Sequence, residues 1–365
     1  MKIYYISTKR EKRNTAGAKA PLDIAIICDN LGYREFAMPR FPSGENKIYQ
    51  KVWLFVCGTY HWTRLMKMIE SGSVIIYQHP MYGNRLVERM IPIIQKKKNA
   101  KFIAVIHDLE SLRGGIAGII QRSAKTNEIA DNSLLKKFDA IICHNESMRQ
   151  YLIEQGFEKE RLFNLEIFDY ISDIELEHPI KNSDPSIAIA GNLAIGKCAY
   201  IYNIFEDGNN SGLTVNLYGV NYQKDRANNN MIYHGSFTPE ELPEKLKGDF
   251  GLVWDGNSAE SCVGNTGEYL KYNNPHKTSL YISSGMPVIV WSQAAIADFI
   301  LKNGVGVTVD SLSEVEERIR KLSADEYHDM CKRTVKIGKR LKEGQYFKEA
   351  LKKVLMYLEK WSVEE

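Results

Sequence analysis

Gly267-Glu-Tyr-Leu-Lys-Tyr-Asn-Asn-Pro-His-Lys-Thr-Ser-Leu-Tyr-Ile-Ser-Ser-Gly-Met-Pro-Val-Ile-Val290 holds a helix that runs straight into a strand. Asn274 suits the N-cap and Pro275 the first helical position, so a helix is expected to start there. Gly285 ends it, and Met286-Pro287 feed the apolar run Val288–Trp291. A helix followed at once by a buried strand is the repeating unit of an α/β sheet, and the alternation extends both ways along the chain. Upstream, strands are expected at Lys2–Ile6, Glu35–Met38, Val52–Cys57, Ser73–Tyr77, Phe102–His107 and Ala140–Cys143. Amphipathic segments lie between them at Trp62–Glu70, Arg85–Lys97 and Ser147–Gln155. After the polar stretch Ile171–Asp184 the pattern restarts with Ile187–Ala190, Thr214–Tyr218, Met231–His234, Phe250–Trp254, Val288–Trp291 and Val305–Val309. Ala324–Glu365 reads as helix throughout.

The fold expected is therefore α/β, with two Rossmann-like doubly wound domains facing a central cleft. Residues 1–175 form the first domain, 176–345 the second, and 346–365 a terminal helix that packs back on the first. At 365 residues the chain suits two domains of roughly 150 residues each. With 44% apolar and 25% charged residues, whole-chain disorder is excluded. Lys and Arg number 48 against 45 Asp and Glu, a formal +3 that is too slight for nucleic-acid binding. No apolar run approaches the ~18 residues that cross a bilayer. Met1–Ser7 reads as a strand followed by the basic Lys9–Arg13, the reverse order of a signal peptide, so a cytoplasmic location is expected. The six cysteines (Cys28, Cys57, Cys143, Cys198, Cys262, Cys331) form no C-x-x-C and read as buried thiols. No D-x-D triplet occurs, and neither a metal nor a cofactor is expected.

In open α/β sheets, ligands bind beyond the carboxyl ends of the strands, so the loops there are the candidate site. His276 and Lys277 fall in the first helical turn, beside unpaired backbone N–H groups that make an anion site; on helix logic alone the pattern is more often an ordinary capped helix with both side chains in solvent. Gly191-Asn192 closes the first strand of the second domain, where a glycine lets a ligand approach the backbone and Lys197 can meet a phosphate. The full G-x-G-x-x-G and G-x-x-x-x-G-K-[ST] patterns are missing. In the first domain, Phe102–Ile106 runs into His107-Asp-Leu-Glu-Ser-Leu-Arg113. Asp108 or Glu110 can serve as general base and Arg113 can hold a hydroxyl-rich or anionic substrate; Asp108 equally fits a helix N-cap. Gly17 and Lys19, in the loop after the first strand, point to the same crevice. His79 ends another strand, where a histidine is more often structural than catalytic.

Asp249-Phe-Gly-Leu-Val-Trp-Asp-Gly256, Gly267 to Lys277 and Tyr281 to Val290 resemble the bacterial β-1,6-galactofuranosyltransferases of surface-polysaccharide synthesis. His107 to Arg113, Gly17-Ala-Lys-Ala-Pro21 and Gly191-Asn-Leu193 carry the same resemblance, which extends more loosely to the streptococcal glucosyltransferases that modify serine-rich adhesins. It implies a GT-B fold and a UDP-sugar donor held by the second domain. Lys277 and Asn274 would contact diphosphate or ribose, Gly191, Asn192, Tyr218 and Gly219 the nucleotide, and Tyr269 and Tyr272 the sugar. It further implies inverting, metal-independent transfer of galactofuranose to a lipid-linked oligosaccharide, by a homo-oligomer in peripheral contact with the inner membrane face. A UDP-glucose transferase acting on a glycan or glycosylated adhesin, a nucleotide-sugar 2-epimerase and a non-catalytic partner subunit are the alternatives.

Overall fold

The structure, a computed structural model, describes residues 1–8, 18–113, 129–175 and 184–364. The strands of the first domain are β1 (Ile3–Thr8), β2 (Arg34–Met38), β3 (Val74–His79), β4 (Lys101–Ile106), β5 (Ala140–Cys143) and β6 (Leu162–Asn164). All pair in parallel, in the order β2-β1-β3-β4-β5-β6. Parallel strands are covered on both faces, which is why β3 is buried at every position and is apolar without alternation from Val74 to Tyr77. On one face Ile75, Phe102, Ile106 and Ile141 meet the helices Thr59–Met68, Asn84–Lys98 and Glu146–Glu154. On the other, Tyr5, Ile76, Ile103 and Ile142 meet Ile24 and Ile27 of the helix Lys19–Asn30 and Phe347, Leu351 and Val354 of the helix Gln345–Glu364.

The second domain holds β7 (Ser186–Asn192), β8 (Thr214–Val220), β9 (Met231–Tyr233), β10 (Phe250–Val253), β11 (Val288–Trp291) and β12 (Gly306–Val309). They form a second parallel sheet, ordered β12-β11-β10-β7-β8-β9. The chain steps outward from β7 through β8 to β9, then returns to β10 on the other side of β7. That reversal between β7 and β10 is a topological switch point, and a crevice opens beyond the carboxyl ends of those two strands. The two domains together are the GT-B architecture.

Two sequence expectations are corrected. Val52–Cys57 is helical, not a strand: Lys47–Trp53 is α-helix, Leu54–Gly58 a π-turn and Thr59–Met68 α-helix again. Its start is set locally, since the Asn46 side chain accepts a hydrogen bond from Tyr49 N at 2.8 Å. Ala324–Glu365 is two helices, Ala324–Lys342 and Gln345–Glu364, parted at Gly344, whose φ of +69° ends the first. That break turns the chain back to the first domain. There the buried Asp169 carboxylate accepts from Tyr346 N (3.2 Å) and Phe347 N (2.7 Å), capping the last helix.

Candidate active site

The helix His276–Ser283 is seated by a glycine. At Gly251 of β10 a Cβ would stand 2.1 Å from the Tyr281 ring, so only glycine lets the helix lie this close to the sheet. Tyr281 Oη then accepts from Ala190 N at 2.8 Å. This seating brings Lys277 to the switch point, where its Nζ donates to Trp254 O (2.6 Å) and pairs with Asp255 Oδ1 (3.1 Å). Across the crevice, Gly256 N donates to Lys197 O at 3.3 Å, tying the loop after β10 to the loop after β7. Gly191 and Gly219 stand opposite one another at the ends of β7 and β8, with φ of +140° and +142°. A Cβ on Gly219 would fall 1.7 Å from Gly191 O, whereas one on Gly191 would meet nothing within 4 Å. The rim there is bare backbone facing open space, the surface a ligand needs for close approach. Asn192 is exposed, with its Oδ1 accepting from Asn221 Nδ2 (2.9 Å) and Ala194 N (3.1 Å).

The first domain supplies the facing wall. Asp108 follows β4, and Arg113 Nη1 lies 2.8 Å from its Oδ2 and 4.0 Å from Glu110 Oε1. Burial pushes the Asp108 carboxyl up to about 6, against the pull of Arg113; Glu110 pushes the same way as burial, and Lys197 of the second domain opposes it from across the cleft. A carboxylate tuned close to neutrality is suited to taking and returning a proton. Tyr269 crosses from the second domain into the core of the first, and its Oη accepts from Leu109 N at 2.9 Å, so it positions the Asp108 loop. Tyr272 meets the Tyr151 ring edge-on at 5.5 Å on the same border.

Other candidates stand elsewhere. Asn274 does not cap its helix: Pro275 is the N-cap and has no side-chain bond. Instead Asn274 Oδ1 accepts from Asn145 Nδ2 (2.7 Å), and its Nδ2 donates to His144 O (2.7 Å) and Glu166 O (3.1 Å). Its N donates to His144 Nδ1 at 2.9 Å, while His144 Nε2 lies 3.1 Å from Ile106 O, as a neutral ring with its proton on Nε2 requires; burial holds His144 down at about 4. Asn274 is thus a bolt between the domains. His276 packs on the ring of Tyr170 at 5.3 Å, with its pKa lowered to about 3 chiefly by burial, and its Nε2 is buried. Lys19 is 4% exposed, paired with Asp23 Oδ1 at 2.5 Å and donating to Ile171 O at 2.7 Å. His79 is fully buried beneath the site, its Nε2 3.1 Å from Asp131 Oδ1. Asp131 also accepts from Ser111 N, so the pair supports the turn that carries Glu110 and Arg113. His107 stacks on Phe168 at 5.6 Å and contacts Gln78 Oε1 at 2.8 Å. Tyr218 is buried against His234 (4.8 Å), its Oη accepting from Lys247 N. Gly17 lies outside the described residues.

Sequence reasoning missed Asp255, although it directly follows the expected strand Phe250–Trp254. It also missed the stack Tyr202–Tyr222–Tyr233 beside the ends of β8 and β9, with centroids 6.3 and 4.7 Å apart. Asp131 lies in a segment with no periodic signal.

Two Rossmann-like domains with a basic switch point facing a tuned carboxylate define a GT-B glycosyltransferase. Residues 3–167 match the family described as "Glucosyltransferase 3-like, N-terminal domain" and residues 187–354 its C-terminal counterpart. The chain belongs to this glucosyltransferase 3-like family of glycosyltransferases. It is 32% identical over 362 residues to the β-1,6-galactofuranosyltransferase WbbI of Escherichia coli K12, covering 97% of this chain and 98% of that one. Against glucosyltransferase 3 of Streptococcus gordonii it is 28% identical, over 79% of this chain and 80% of the relative. Among solved structures, the sucrose-phosphate synthase of Thermosynechococcus elongatus has the same fold, with a TM-score of 0.64 at 11% identity over 99% of both chains.

Proposed function

We propose that this chain transfers galactofuranose from UDP-galactofuranose to a hydroxyl of a lipid-linked glycan, with inversion, without a metal, at the cytoplasmic membrane face. The observation that carries the reading is the convergence on one cleft of Asp108, tuned to about 6, with Lys197 opposite it and Lys277 at the switch point. Asp108 takes the proton of the acceptor hydroxyl, with Glu110 as the second candidate. The oxygen attacks the anomeric carbon from the face opposite the diphosphate, and the carbon–oxygen bond to UDP breaks with its electron pair going to the leaving phosphate. Lys277, Lys197 and the N–H groups of the helix at His276 stabilise that charge, leaving no step that calls for a divalent cation. Full-length similarity to WbbI supports the furanose donor. The family description and the streptococcal relative support a UDP-glucose donor as the second reading.

Calorimetric titration with UDP in the presence of EDTA, with GDP as control, tests the nucleotide site. Binding of UDP alone is expected, followed by turnover of UDP-galactofuranose in preference to UDP-glucose. No UDP binding would remove the switch point as a donor site and bring the non-catalytic subunit forward.

A further inference from the structure

The apolar side chains of the helical stretch Lys47–Met68 lie largely on the outside of the protein. Phe55 is 78% exposed, Ile48 77%, Val56 62% and Val52 56%, with Tyr49 and Tyr60 beside them. The helix Lys47–Trp53 buries no residue at all. At helical spacing, 48, 52, 55 and 56 share about a third of the circumference, and Lys47 and Lys51 border it. Residues 40–69 carry Arg40, Lys47, Lys51, Arg64 and Lys67 against Glu45 alone, so this stretch is locally basic. The ridge is also anchored: Trp53 and Phe41 pack on Tyr82 at 5.6 and 5.3 Å, and Tyr82 Oη donates to Pro39 O at 2.6 Å. Pro39 and Tyr82 follow the carboxyl ends of β2 and β3, the rim that faces the cleft.

An exposed apolar helical ridge bordered by lysines and tyrosines has the form and charge of a helix that lies in a membrane interface. Exposed contiguous apolar surface of this kind marks an interaction site, and the one-sided charge selects an anionic occupant. We propose that the ridge from Lys47 to Tyr60 seats the first domain on an anionic lipid surface, turning the acceptor side of the cleft towards the headgroups. Its biological sense rests on the reading of the acceptor as lipid-linked.

The test is co-sedimentation of the full chain with vesicles of phosphatidylethanolamine and phosphatidylglycerol, against vesicles of phosphatidylcholine alone. Neither donor nor acceptor is added, so failure here leaves the transferase reading standing, and failure of transfer leaves docking standing. The wild type partitions to the anionic vesicles, and Val52→Ser with Phe55→Ser lowers that partition about tenfold or more. Lys47→Glu with Lys51→Glu removes the preference for anionic lipid. Both variants keep the wild-type thermal melt, since the altered side chains are exposed. Equal partition of wild type and variants, or no partition of the wild type, overturns the proposal. So does a dimer, seen by light scattering, that the Val52/Phe55 variant splits without changing vesicle binding, which would assign the ridge to a second copy of the chain.

Discussion

Replacing Arg113 by glutamine separates Asp108 as a base from Asp108 as scaffolding. Burial raises its carboxyl to about 6, and Arg113, 2.8 Å from Oδ2, is the largest influence holding it there rather than higher. Removing the guanidinium lets the pKa rise by about one unit, the low end for an Arg–Asp pair because the two side chains keep 31% and 33% of their surface in solvent. Only the ionised carboxylate can accept the hydroxyl proton. At about pH 5.5 the competent fraction then falls from roughly a quarter to about 3%; near pH 7 it falls from roughly nine-tenths to about half, and near pH 8.5 it barely changes. The assay is kcat/KM against pH, whose acid limb reports the free enzyme. The limb moves upward in Arg113→Gln, any lost acceptor contact appears as a factor constant with pH, and Asp108→Asn loses about 10²–10⁴ at every pH. A loss in Arg113→Gln that is uniform from acid to alkaline pH, with the limb unmoved, refutes the reasoning.

Lys277→Met should lower kcat by roughly 10²–10³ and weaken UDP binding in titration, because the charge on the leaving diphosphate loses its main partner. Gly219→Ala should abolish UDP binding and lower the melting temperature, since its Cβ would overlap Gly191 O at 1.7 Å; Gly191→Ala meets no atom and carries only backbone strain of about 1–3 kcal/mol. Burial already raises the Asp23 carboxyl to about 7 against the pull of Lys19, so Lys19→Met leaves Asp23 protonated at neutral pH with its hydrogen-bond partner gone and should cost about 1–3 kcal/mol in a denaturant melt. The pair Lys19→Met with Asp23→Leu should recover most of that loss.

The alternation of strands and helices determined the two-domain α/β layout by itself, because strands buried on both faces and helices buried on one impose different local periods. The same local chemistry marked the loops after β4, β7 and β10, so Asp108, Arg113, Gly191 and Lys277 could be named as candidates without coordinates. Val52–Cys57 misled because its apolar run satisfies strand propensity while its outward-facing side chains pack on no sheet. The roles of polar residues were decided only by tertiary structure. Asn274 looks like a helix cap, yet it bonds to His144, 130 positions earlier in the chain. Lys19 looks like a cleft residue, yet it is held by Ile171, 152 positions away. A polar side chain takes whichever partner the folded chain brings within about 3 Å, and no local pattern encodes a neighbour 130 or 152 positions away.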